Sequence, residues 1–247
     1  MDSIKYANVD LSQIVYGTAG RYFISSKGGS RQPLSGSITR FVMPSVVASQ
    51  QYKRLVICGI SSFADTFYLN QDSSVVHISR KYETNNVARG VNNVYLASDG
   101  KTLTFLRNRS IYKVNGTNAK ANPTEIVVRD AAILFATADG KGVFFVNEFS
   151  ELYYQKSKGR PSLVSDHLAA RGGIGLFKGN TLFYVSDSEL YVSTGGKGKA
   201  VSGIDGQVQS VSVGPMYVTV AVHDYGDSLV YISTDGKAFE VVNQSQS

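Results

Sequence analysis

Tryptophan is absent from the 247-residue chain, cysteine occurs once, histidine three times and proline five times. Each scarcity narrows the field. Without tryptophan, the usual sugar-stacking side chain is missing. The single Cys58 excludes a disulfide within the monomer, and its place in the apolar run Leu55-Val-Ile-Cys-Gly59 reads as a small buried apolar residue, not a reactive thiol. His77, His167 and His223 form no His-x-x-x-His pair, and no Cys-x-x-Cys or acidic calcium loop accompanies them, so no metal and no cofactor is expected. Neither a Gly-x-Ser-x-Gly elbow nor a phosphate-binding glycine loop occurs. No segment reaches the roughly 18 consecutive apolar residues of a membrane span. The start Met1-Asp-Ser-Ile-Lys5 lacks the basic-then-apolar order of a signal peptide.

What the chain does have is tyrosine at nearly constant spacing. Tyr22, Tyr68, Tyr112, Tyr153, Tyr191 and Tyr231 lie 46, 44, 41, 38 and 40 residues apart. Each stands in a short apolar run followed by Gly, Lys or Ser, so each marks the same strand, the third, of a repeated β-unit. Periods near ~40 residues suit propeller blades. The chain has no convincing apolar period of 3.6, so helix content should be slight. The expectation is an all-β, six-bladed β-propeller of four-stranded antiparallel blades in one domain over residues 1–247, with repeats near 4–38, 39–80, 91–129, 131–165, 172–203 and 207–243.

The third to sixth repeats fill in strand by strand. Val94–Ala97, Thr102–Leu106, Ser110–Val114 and Glu125–Val128 form one meander, with Asp99-Gly100 read as a two-residue hairpin turn. The next repeats the phrase with Asp139-Gly140-Lys141, Val143-Phe-Phe-Val146 and Glu151-Leu-Tyr-Tyr154. The second repeat is read from Val46-Val47, Leu55–Cys58, Thr66–Leu69 and Val75–Ile78. The first offers only Ile4–Tyr6, Ile14–Tyr16 and Arg21–Ile24. Because the first repeat begins with its innermost strand and the last ends with its outermost, the ring should close by face packing, without strand exchange.

The phrase Ser165-Asp-His-Leu-Ala-Ala170, Lys178-Gly-Asn-Thr-Leu-Phe-Tyr-Val185, Ser188-Glu-Leu-Tyr-Val192 and Gly196-Lys-Gly-Lys199 resembles the repeats of bacterial TolB-like, WD40-like propellers, including those found as extracytoplasmic domains of Gram-positive surface proteins. The resemblance spans most of residues 40–242 and implies the fold; it is almost silent on function. Ser233-Thr-Asp-Gly-Lys-Ala-Phe239 also resembles the Asp-box hairpin of sialidase-type propellers. That box is structural, so sialidase catalysis is not implied.

Arginines recur just ahead of the innermost strand at Arg40, Arg89, Arg129 and Arg171, positions that converge on one mouth of a propeller channel. Guanidinium groups sharing an opening repel one another unless an anionic group bridges them. Arg40, Arg89, Arg129, Asp130, His167, Arg171 and Asp205 are therefore the candidate ligand-binding residues. The competing reading pairs each arginine locally with Asp130, Asp166 or Asp205. No catalytic residue is assigned. Asp187 with Glu189, and Asp224 with Asp227, are carboxylate pairs in loops between second and third strands, where exposure alone explains them. The sequons at Asn108, Asn115 and Asn243 are of the kind that Asn- and Ser-rich loops generate by chance.

Hairpin tips on the opposite face carry Lys27, Lys101, Lys141, Lys178, Lys197 and Lys237 among others. With a net charge of +6, this rim could attract cell-wall polymer or an anionic membrane surface; aromatics do not interleave with it, which disfavours nucleic acid. A solvated rim that keeps strand edges soluble is the plainer account. Two function classes stand: a non-enzymatic binding module that takes a protein segment or small anionic ligand at the channel mouth, and a propeller hydrolase or lyase acting on a glycan or peptide. The cysteine count and the resemblance lean toward an extracytoplasmic or cell-surface bacterial domain with its anchor removed, with cytoplasmic residence as the alternative.

Overall fold

No described strand exceeds seven residues, and among the described residues there is no helix. β-branched and aromatic runs are cut short by Gly, Asp, Asn and Ser, so the chain turns back repeatedly on itself. The computed structural model describes strand backbone between residues 3 and 61 and residues 66–79, 83–127, 130–156, 159–214 and 216–245, with side chains from 67 to 242. Met1–Arg129 and Asp130–Ser247 form two compact units.

In the first unit, β1 (Ser3–Asn8), β2 (Ile14–Thr18), β3 (Arg21–Ser25) and β4 (Gln32–Pro33) precede β5 (Ile38–Phe41) and β6 (Ile60–Ser61). The N-terminal sheet has the order β4-β3-β2-β1-β6, with β6 parallel to β1. Sheet I joins β5 to β7 (Thr66–Asn70), β8 (Val75–Ile78) and β9 (Thr84–Ala88), and sheet II is the meander β10 (Asn93–Leu96), β11 (Thr102–Arg107), β12 (Ser110–Asn115) and β13 (Thr124–Val127). The second unit holds three such meanders. Sheet III is β14 (Ile133–Ala136), β15 (Gly142–Val146), β16 (Leu152–Lys156) and β17 (Ser162–Ser165). Sheet IV is β18 (Ile174–Phe177), β19 (Thr181–Ser186), β20 (Glu189–Ser193) and β21 (Lys199–Ala200). Sheet V is β22 (Gln207–Val213), β23 (Val218–Asp224), β24 (Asp227–Ser233) and β25 (Glu240–Ser245). Sheets I to V are four-stranded and antiparallel throughout.

Tyr112, Tyr153, Tyr191 and Tyr231 occupy the third strands β12, β16, β20 and β24, as the spacing requires. Tyr68 does not. It lies on β7, the second strand of sheet I, opposite Val76 of β8. The second repeat is thus one strand out of step: Thr66–Asn70 is its second strand and Val75–Ile78 its third. Its first is Ile38–Phe41, not Val46-Val47, while Leu55–Cys58 lies outside the described residues. The physical reason is that in sheets II to IV the second and third strands both carry an aromatic residue at this level. Phe105 stacks on Tyr112, Phe145 on Tyr153 and Tyr184 on Tyr191, with ring centroids 5.5, 5.4 and 5.6 Å apart. In sheet I the aromatic of the pair sits on the second strand only.

The turns also differ from expectation. Asp99-Gly100 is not a two-residue hairpin. The Ala97 amide donates to the Thr102 carbonyl at 2.8 Å, closing a four-residue loop in which Gly100 adopts φ +70°. Two-residue turns occur instead between second and third strands, where Asn108 and Arg109, Asp187 and Ser188, and Tyr225 and Gly226 all have positive φ. That is the backbone twist a type I′ hairpin requires.

The core sits between sheets. Phe67, Val75, Leu96, Leu103 and Phe105 join sheets I and II; Phe144, Leu152, Val164, Leu182 and Tyr184 join III and IV; Phe183, Val185, Val211, Val220 and Tyr231 join IV and V. The second strands β15 and β19 are buried almost throughout, which is why Val143-Phe-Phe-Val146 and Leu182-Phe-Tyr-Val185 read as unbroken apolar runs. β23 alternates instead: Val218, Val220 and Val222 are buried, Thr219 and Ala221 half-buried, His223 exposed. Small residues let neighbouring sheets approach. A methyl group at Gly142 would strike the Tyr154 hydroxyl, and one at Gly195 of sheet IV would lie 2.8 Å from the same ring.

Candidate binding surface

An antiparallel meander puts its 1–2 and 3–4 connections at one end of each sheet, and its 2–3 connection and exit to the next sheet at the other. Hydrogen bonds show that these ends coincide across sheets III to V. At the 1–2/3–4 end the Ala138 amide donates to the Gly179 carbonyl at 2.7 Å, and Lys178 Nζ donates to the Thr234 carbonyl at 2.8 Å. At the 2–3/exit end the Val208 amide donates to the Ser188 carbonyl at 2.8 Å.

The 1–2/3–4 turns are closed by aspartates. Asp99 Oδ1 accepts from the amides of Lys101 and Thr102 at 2.9 and 2.8 Å, and Oδ2 accepts from the Thr102 hydroxyl at 2.6 Å. Asp139 accepts from Thr137 Oγ1 and the Lys141 amide, and Asp235 from Ser233 Oγ and the amides of Lys237 and Ala238. Partial burial pushes the Asp99 carboxyl upward, but its bonds from Thr102 and Lys101 outweigh this and hold it below its ordinary value. Amides of Lys237 and Ala238 lower Asp235 likewise. The Asp-box-like segment is therefore a turn brace.

Most of the sequence-predicted residues lie on the 2–3 or exit connections of their own sheets. Arg89 follows β9 and is exposed; Asp72, in the turn between β7 and β8, feels its charge and is held below its ordinary value chiefly by the Ser74 hydroxyl. Arg171 and His167 are exposed on the connection from β17 to β18, and the His167 carbonyl accepts from Ser186 Oγ at 2.5 Å. Asp205, exposed between β21 and β22, donates its amide to Tyr231 Oη at 3.3 Å. Asp130 is half-buried before β14. Arg40 is a residue of β5 itself, not of a loop ahead of it. Arg129 lies outside the described residues. His77 is buried, stacked on Phe67 with centroids 4.9 Å apart and in contact with Asn85 through Nδ1 at 3.2 Å, a core histidine. No group of three His, Cys, Asp or Glu able to hold a metal occurs among the described residues.

One feature of this end escapes a reading for arginines alone. In residues 130–247 the 2–3 and exit connections and the strand ends that flank them carry nine carboxylates, with Asp130, Glu151, Asp187, Glu189, Asp224 and Asp227 among them, against Arg171 as sole Lys or Arg. Two of them grip the repeated tyrosines: Tyr153 Oη donates to Glu151 and Tyr191 Oη to Glu189, each at 3.0 Å. Those bonds, with burial and the neighbouring carboxylates, raise both phenols above their ordinary value. The motif Glu-Leu-Tyr at 151–153 and 189–191 is the sequence signal of this arrangement.

Likeness to solved structures decides the architecture. The β-propeller domain of the Trilobed protease from Pyrococcus furiosus, described as having an open velcro topology, matches 99% of this chain and 85% of its own, with a TM-score of 0.53 at 10% identity. The chain folds as a β-propeller. Kluyveromyces lactis Hsv2 matches with a TM-score of 0.52 at 14% identity, covering 94% of this propeller and 74% of that chain. A prolyl endopeptidase structure gives 0.56 at 12% identity over 98% of this chain, which spans only 42% of it. At such identities the likeness concerns fold alone. No family model and no curated protein matches the sequence.

Proposed function

We propose that the protein is a six-bladed, TolB-like propeller, counting the N-terminal sheet as the first blade, and that it serves as a non-enzymatic binding module of an extracytoplasmic bacterial protein. The ligand or protein segment is taken at the 2–3/exit end of the blades. The observation that carries this is a contrast between the two ends. At the 1–2/3–4 end, the aspartates are consumed by their own turns. On the 2–3 and exit connections, His167, Arg171 and Asp205 of the second unit are exposed, as is Arg89 within the first, and scaffold-held side chains on such connections commonly bind. The nine carboxylates that share this end with Arg171 favour a ligand that carries a cationic group beside its anionic one, such as a peptide segment, over a polyanion. The Lys-bearing turns of the opposite end suit cell-wall polymer or membrane surface in a secondary role.

The second reading, a hydrolase or lyase, draws its support from the protease propellers among the structural neighbours. The test replaces Arg89 and Arg171 by Ala. Such surface changes should move stability by no more than about 0.5 kcal/mol, yet abolish capture of ligand in a screen of peptides, anionic glycans and nucleotides. Failure of the wild type to bind any of them, or unfolding of the double variant, refutes the binding reading; turnover of a peptide or glycan would instead establish the second.

A further inference from the structure

The two ends of residues 130–247 are charged oppositely. Against the nine carboxylates and one arginine of the 2–3/exit end, the 1–2/3–4 end carries seven Lys and Arg and three carboxylates among the described residues, with Lys141, Lys178, Lys197, Lys199 and Lys237 all exposed. Two of those three carboxylates, Asp139 and Asp235, are already engaged by their turns. A solvated surface ordinarily intersperses both signs; here they are sorted to opposite ends of one three-sheet body.

Each end also presents apolar side chains to water. Phe149, in the turn between β15 and β16, is 74% exposed, and Tyr225, in the turn between β23 and β24, is fully exposed, both at the acidic end. Tyr225 is held there at φ +44°, a conformation a bulky residue adopts at a cost. At the basic end the turn between β22 and β23 exposes Met216 and Tyr217. Acid with aromatic therefore faces one way, base with apolar the other.

We infer that these ends are complementary halves of one interface, and that a second copy of this chain docks its basic end onto the acidic end of the first. Charge complementarity fixes the pairing and the exposed rings supply the apolar contact. Because the two surfaces differ, the contact is heterologous. A dimer formed this way keeps one unused end of each kind and adds further copies. The docked copy covers the end that carries Arg171, so a ligand held there and a second copy compete, and the salt-dependent mass of the ligand-free chain tests the docking alone.

Sedimentation equilibrium of the full chain tests it. At low ionic strength the average mass should rise with concentration without levelling at the dimer, and should fall toward the monomer at about 0.5 M salt, where charges more than a few ångström apart are screened. Asp187→Lys with Asp227→Lys leaves the acidic end with seven carboxylates against three cations and should weaken assembly several-fold, whereas Lys197→Glu with Lys199→Glu and Lys237→Glu turns the basic end acidic and should give monomers. Circular dichroism melts establish that both variants fold. Phe149→Ser with Tyr225→Ser should weaken assembly several-fold. A wild type monomeric at low salt overturns the inference. So does assembly left undiminished by either set of substitutions.

Discussion

Asp99 shows how much a single side chain does in this fold. It closes its turn with three bonds from Lys101 and Thr102, so Asp99→Ala should cost about 1–2 kcal/mol, by analogy with loss of a helix cap. The measurement is chemical denaturation at pH 7. Its depressed carboxyl also sets a sign: the stabilisation is complete above the ordinary value of 3.8 and is lost as pH falls below it, so the penalty of the substitution should shrink in acid. Tyr225 works in the opposite sense. Asn tolerates its left-handed conformation where Tyr does not, so Tyr225→Asn should raise the thermal midpoint, gaining at most roughly 1 kcal/mol. A lowered midpoint would mean that the ring contributes to the folded monomer.

Second strands divide into two kinds. β15 is covered on both faces and β23 on one, so Phe144→Ala should cost about 3–5 kcal/mol while Thr219→Ser should stay within about 0.5 kcal/mol. Urea titrations of the two variants check this. These patterns were legible beforehand. Unbroken apolar runs and Gly-bearing turns placed the strands of sheets II to V. Sheet I was misplaced because Tyr68 and Tyr112 look alike in sequence, though one is the inner and the other the outer partner of a cross-strand pair. Turn lengths failed for a related reason: Asp-Gly marks both a two-residue hairpin and a carboxylate-braced loop, and only hydrogen bonding separates them. Of the candidate site, the positions of Arg89 and Arg171 ahead of a first strand were readable. That Arg171 shares its end with nine carboxylates was not, because they come from three repeats and gather at one end only when the meanders align.

At the scale of the chain, a net charge of +6 hides a division: residues 1–129 hold sixteen Lys and Arg against seven carboxylates, and residues 130–247 nine against twelve. The alkaline limit of stability follows from burial. Tyr184 is buried, and loss of water together with the nearby Tyr191 pushes its phenol up to about 12 from 10.0. The folded chain therefore holds this proton more tightly than the unfolded one. The associated stability is present below pH 10 and lost as pH rises toward 12, and Tyr184→Phe should flatten that fall in thermal midpoint. Finally, Tyr154 is hemmed in by Gly142 of its own sheet and Gly195 of the next. The blades are thus not interchangeable modules. Recombination that imports a blade with any side chain at position 195 would be rejected unless residue 154 shrank in the same event, so this chain should diverge by exchanging blades in adjacent pairs.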